Sequence, residues 1–181
     1  MEIMKNTKIV SIFLFFAFAP GFLCFADTGS FKLYKQGLDL SIEGDFRAAE
    51  SKFKKALQVD KLDRLAQECL TLIYEYDNGS VDKEFIVAQF KGAKAVFDKD
   101  YRKALSEFKL SLDKSPDSAL ANNNVGVAYL YEGAFDEAIK YFRRAISLDK
   151  KYLDGWTNLA YTYNKAKIDP QKAKECALEA I

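Results

Sequence analysis

A 34-residue echo constrains this chain more than any single residue does. Gly92, Tyr101, Ala104 and Phe108 return 34 positions later as Gly126, Phe135, Ala138 and Phe142. Tyr129 returns as Tyr163, and Gly126 as Ala160. A fixed period of this length marks helical hairpins stacked into an open array, because one hairpin cannot bury its apolar face alone. Such arrays serve as binding surfaces for other polypeptides more often than as enzymes. The period thus points to a class of function and leaves the partner unnamed.

Residues 119–152 hold the fullest copy, with one helix over Ala119 to Glu132 and a second over Phe135 to Leu148. Gly133 ends the first, where a residue free to take positive φ is cheapest. Val125, Ala128 and Tyr129 give the first helix an apolar stripe at helical spacing, and Ala138, Phe142 and Ala145 do so for the second. Small Gly126 and Ala138 let the backbones approach, while Tyr129 and Phe142 fill the space beside them.

These residues resemble the tetratricopeptide repeat. Copy 119–152 carries Gly126, Tyr129, Gly133, Phe135, Ala138, Phe142 and Ala145 at the family's positions. Copy 85–118 carries Gly92, Tyr101, Ala104, Phe108 and Pro116, and copy 30–63 carries Gly37, Gly44, Phe46, Ala49, Phe53 and Ala56. A last copy, 153–181, opens with Trp156, Leu159, Ala160 and Tyr163, then takes one extra residue before Ala173, Ala177 and Ala180. The resemblance implies an all-α, right-handed solenoid of antiparallel helix hairpins, with about four repeats.

One repeat is irregular. Phe46 to Tyr101 is 55 residues, 13 short of two full periods. Residues 64–84 are therefore a shortened unit: Arg64 to Asp77 reads as a helix, and Asn78-Gly79-Ser80 as a turn. Asp82 to Phe97 belongs already to the next repeat. Nine helices are expected, one of them without a hairpin partner, with a local change of curvature near 78–82. The chain stops at Ile181 inside an apolar helix, where solenoids usually close with a polar cap. Either the sequence is incomplete, or another surface covers that end.

Residues 1–26 read as an export signal. Lys5 and Lys8 precede an apolar stretch from Ile9 to Ala19, Pro20-Gly21 break it, and Cys24 and Ala26 put small side chains before a cut at Asp27. Two alternatives stand beside cleavage after Ala26. Ile9 to Ala26 is 18 uncharged residues, at the lower limit for a membrane anchor, and Cys24 is a lipidation candidate despite Leu23 before it. Export places the rest in a periplasmic or cell-envelope space. There Cys69 and Cys176 lie in repeats too far apart for a disulfide.

Composition removes several classes of function. Basic and acidic residues number 27 and 26, and beyond residue 26 they balance, so nothing favours nucleic acid. Histidine is absent, which rules out catalytic sets and metal sites built on imidazole. There is no phosphate-binding glycine loop, nucleophile elbow or CxxC pair. Asp98-Lys99-Asp100 lacks the spacing of a calcium loop and reads as helix capping. No catalytic residue, metal or cofactor is expected.

In the family, a ligand peptide lies along a concave groove lined by the first helix of each hairpin. Carrying that register over gives Gln89, Asn123, Asn124, Val127, Tyr131, Thr157, Asn158 and Tyr161 as candidate lining, joined by Tyr34, Leu38, Tyr76 and Ala93, with Phe31, Leu72 and Phe90 open to either groove or core. Aromatics supply contact area, and asparagines can pair with a ligand backbone. Chaperone-binding relatives clamp a terminal carboxylate with Lys, Asn and Arg. Here those places hold Gln89 and Ala93, then Asn124, then Asp154 and Asn158, so only the central asparagine survives. The expected function is an exported adaptor or assembly factor that holds another protein or peptide. The alternative is a structural envelope protein that forms homo-oligomers through its C-terminal end.

Overall fold

Acidic caps set the helix starts. Asp45, Asp63, Asp82, Asp100 and Asp169 each accept the backbone amide three residues on, and Ser118 does the same for Ala121. Each satisfies one donor that a helix start leaves unpaired. In a computed structural model that describes residues 29–180, these caps punctuate nine helices and no strand. They are α1 (Gly29–Glu43), α2 (Phe46–Val59), α3 (Arg64–Asp77), α4 (Lys83–Phe97), α5 (Tyr101–Lys114), α6 (Ala119–Glu132), α7 (Phe135–Leu148), α8 (Leu153–Ala166) and α9 (Pro170–Glu179). The fold is the all-α solenoid expected from the repeat. The segment read as an export signal lies outside the described residues. Among those described, no helix is long and apolar enough to cross a membrane.

Four antiparallel hairpins result: α1–α2, α4–α5, α6–α7 and α8–α9. Three of them share one contact, which is the physical content of the echo. A Cβ on Gly37 would stand 2.5 Å from the ring of Phe53, on Gly92 2.3 Å from Phe108, and on Gly126 2.7 Å from Phe142. The phenyl ring thus lies flat on helix backbone where no side chain intervenes. The hairpin turns also share one geometry. Gly44, Lys99, Gly133 and Lys167, one per turn, have φ of +87°, +58°, +81° and +54°. Asp98-Lys99-Asp100 is such a turn, with Asp100 capping α5.

The irregular unit reverses direction as well as shifting phase. Phe97, at the end of α4, packs on Phe31 and Tyr34 near the start of α1, with centroids 5.8 and 5.5 Å apart. Further along, Lys94 pairs with Asp39, and Gly44 lies beside Lys83. Helices α1 and α4 therefore run antiparallel. The regular array is α4 to α9, and the α1–α2 hairpin is fastened to it in the opposite sense, with Phe53 stacked on Phe90 at 6.3 Å.

Helix α3, the helix without a hairpin partner, is wedged between these two parts and buries about half its circumference. One side meets α1 and α2: Tyr76 packs on Phe46 at 4.7 Å, and Cys69 meets Tyr34. The other side, with Arg64, Glu68 and Glu75, turns to the start of α8. Cys69 and Cys176 are buried free thiols on separate helices.

Candidate functional site

The first helices of the three regular hairpins, α4, α6 and α8, are tied by a chain of side-chain amides. Asn158 Nδ2 donates to Asn123 Oδ1 at 2.9 Å, and Asn123 Nδ2 donates to Asn124 Oδ1 at 3.3 Å. Asn124 Nδ2 donates to Gln89 Oε1 at 2.7 Å, and Gln89 Nε2 donates to Ser111 Oγ on α5 at 2.7 Å. Ser111 in turn donates to the Phe108 carbonyl at 2.8 Å. All of these residues are buried, as is Val127. A buried amide left unpaired would be costly, and here each member of the chain satisfies the next.

This changes the part assigned to five candidate residues. Gln89, Asn123, Asn124 and Asn158 hold neighbouring helices in register, and with Val127 they lie beneath the surface that a partner would touch. Helical spacing put them on one shared face of α4, α6 and α8. It carried no sign of whether a neighbouring helix or a ligand would meet them there. Phe90, Ala93, Tyr34, Leu38 and Leu72 are likewise core.

The accessible remainder is aromatic. Tyr131, Thr157 and Tyr161 are half-buried. Tyr131 stacks on Tyr101 with centroids 5.1 Å apart and planes 11° from parallel. Burial holds the Tyr131 phenol above its usual range, and Tyr101 and then Tyr161 add to the effect. Lys165 Nζ lies 5.5 Å from the centroid of Tyr161, and Thr157 donates to the Leu153 carbonyl at 2.8 Å. Tyr101, read from sequence as a repeat marker alone, thus joins Tyr131 and Tyr161 in one strip. Its membership depends on α5 meeting α6, which no local pattern encodes.

At the other end of the same helices, α3 lies against the start of α8. Arg64 reaches Asp154 at 3.6 Å, at a position where the family's carboxylate-clamping members carry a cation. Asp154, Glu68 and Glu75 are all buried. Burial pushes the Glu68 carboxyl far up, and the neighbouring Asp154 charge pushes it further, against an opposing effect of Arg64. Burial likewise raises Asp154, again opposed by Arg64, and lifts Glu75 to about 7. Glu68 Oε2, Asp154 Oδ2 and the Tyr152 hydroxyl find no hydrogen-bond partner among the described residues. Beside this seam opens a cleft of about 590 Å³ lined by Glu75, Val81, Phe85, Pro116, Leu120 and Tyr152, among others. No group of three or more His, Cys, Asp or Glu side chains among the described residues is arranged to hold a metal ion.

Residues 119–152, which carry the hairpin α6–α7 and the centre of the amide chain, match the family model of the tetratricopeptide repeat. The chain thus carries a tetratricopeptide repeat at 119–152, within an all-α solenoid of the same kind. Over 87 residues, 48% of the chain, it is 30% identical to small glutamine-rich tetratricopeptide repeat-containing protein 2 of Saccharomyces cerevisiae, covering 25% of that protein. Over 46 residues, 25% of the chain, it is 41% identical to anaphase-promoting complex subunit 8 of Arabidopsis thaliana, covering 8% of it. The matches thus span a quarter or less of these relatives. Among solved structures, MamA from Desulfovibrio magneticus RS-1 (residues 41 to the end) superposes with a TM-score of 0.52 at 21% identity, covering 85% of this chain and 75% of that one. The TPR2AB domain of yeast Sti1, in complex with pHSP90, gives 0.52 at 18% identity, covering 89% and 65%. At these identities the likeness is one of fold. The tetratricopeptide-repeat architecture accounts for the parallel first helices of α4 to α9.

Proposed function

We propose that the protein is an exported interaction module that holds a polypeptide partner along the face formed by α4, α6 and α8. The observation that carries this reading is the strip of Tyr101, Tyr131 and Tyr161, half-buried on a floor that the amide chain makes rigid. Tyrosines present large, stiff contact area with little entropy to lose on binding, and their hydroxyls reach polar groups of a partner. A floor that does not rearrange keeps the cost of binding low. The match of α6–α7 to a repeat whose family holds peptides supports the same class of function. Residues 1–26 support an envelope setting, in which the module works as an adaptor or assembly factor.

The test is a photoreactive residue in place of Tyr161, introduced in cells of the source organism. One recurrent foreign protein among the crosslinked products supports the adaptor. Crosslinks to further copies of this chain alone overturn it in favour of a self-assembling envelope protein. The N-terminal sequence of the protein recovered from those cells tests export, and cleavage after Ala26 makes it begin at Asp27.

A further inference from the structure

We infer that α3 is a built-in occupant of the partner-binding face, held against α8 by a seam of buried acids, and that loss of protons from this seam releases it. The inference rests on the reading of that face given above and adds a gate to it. Three observations place α3 as an occupant. It is the helix without a hairpin partner, it lies across the start of α8, and Arg64 engages Asp154 at a groove position. Its other side, with Ala66, Cys69, Leu72 and Ile73, is buried with α1 and α2, so release frees α3 from both sides, and its tethers allow this. Leu62 before it is 86% exposed, residues 77–80 after it are exposed, and Gly79 has a φ of +76°.

The seam is built to respond to charge. Glu68 is faced from its own helix by Arg64 and Cys69 and from the preceding loop by Asp63, while Glu75 on the same helix faces Tyr152. It is faced from α8 by Asp154 and from the residue before α8 by Tyr152, with Asp149 behind it, and α1 contributes Tyr34. Arg64 is the one cation in this set, and its side chain is 55% exposed. Two like carboxylates facing each other away from water cannot both ionise cheaply. The buried carboxyls are raised above their ordinary range, so the docked helix holds protons that the released helix gives up. Docking is therefore strongest below about 4.5, the ordinary carboxylate value, and weakens as pH rises from there, through about 7 for Asp154 and Glu75 and about 10 for Glu68. Neutral or mildly alkaline conditions open the face, and mildly acidic ones close it.

Cys69 reports the opening, because it is buried on α3 against Tyr34. The experiment uses the full chain with Cys24→Ala and Cys176→Ala and follows iodoacetamide labelling between pH 6 and pH 8. The same protein in denaturant supplies the rate of the unprotected thiol. Protection of Cys69 should fall at least about tenfold over this range, since each raised group adds up to tenfold per pH unit. Far-UV circular dichroism should meanwhile keep its helical signal. Adding Glu68→Gln and Asp154→Asn, together or singly, should flatten the profile. Protection that is constant within about twofold, or a fall that persists in the double variant, overturns the gate. Either leaves the tyrosine strip as partner site untouched, and a failed crosslink from Tyr161 leaves the pH-dependent docking of α3 untouched while removing the partner it would gate.

Discussion

Gly126 shows how much one methyl group decides at the residue scale. An alanine there would place its Cβ 2.7 Å from Phe142, so the ring or the backbone must shift. We expect Gly126→Ala to destabilise by about 1–3 kcal/mol, the usual cost of overpacking a tight core. The loss should shrink when Phe142→Leu is added, and urea unfolding of the four species measures both. Lys99 offers the opposite case. It holds φ of +58° where two of the other hairpin turns use glycine. Lys99→Gly should stabilise by up to about 1 kcal/mol, as the strain of a left-handed side chain outweighs the extra freedom of the unfolded chain. The glycine–phenylalanine contacts were legible in the sequence because the same pair returns at the same spacing. The left-handed lysines were not, because lysine carries no mark of that conformation and only the shared turn geometry exposes it.

Among the elements, the amide chain and α3 matter most. Asn124→Ala would leave Gln89 Oε1 buried and without its donor. A cost of about 1–3 kcal/mol follows, and a double-mutant cycle with Gln89→Ala should return a coupling between the two. If the two losses simply added, the chain would not be acting as a unit. The acids beneath α3 give stability a definite pH dependence. Glu75, lifted to about 7 by burial, is neutral in the fold and ionised in the unfolded chain between its ordinary value and that point. Stability is therefore full below about 4.5 and declines as pH rises toward 7. The urea midpoint should be lower at pH 8 than at pH 5, and Glu75→Gln should reduce the difference. Helix bounds were readable here because caps, turns and periodicity agree locally, down to α6 and α7. The reversal of α1 against α4 was not readable. It arises from Phe31, Tyr34 and Phe97 meeting across more than sixty residues of chain, where only a phase defect near Gly79 hinted at irregularity.

At the scale of the whole molecule, the described residues form an array of three regular hairpins whose first helices share one face, with the irregular α1–α3 part laid against it. That face has three zones: a floor of paired amides, an open tyrosine strip, and the start of α8, where α3 lies against it. The outer helices are different in kind. Lys140 and Arg144 on α7 have side chains 72% and 53% exposed and take part in surface ion pairs, which contribute little. The affinity of single variants for the partner captured through Tyr161 tests the central claim most directly. Tyr131→Ala should weaken binding about tenfold or more, while Lys140→Ala and Arg144→Ala stay within about twofold of the parent. Loss of binding in the α7 variants with Tyr131→Ala unaffected would place the partner on the outer helices and contradict the account.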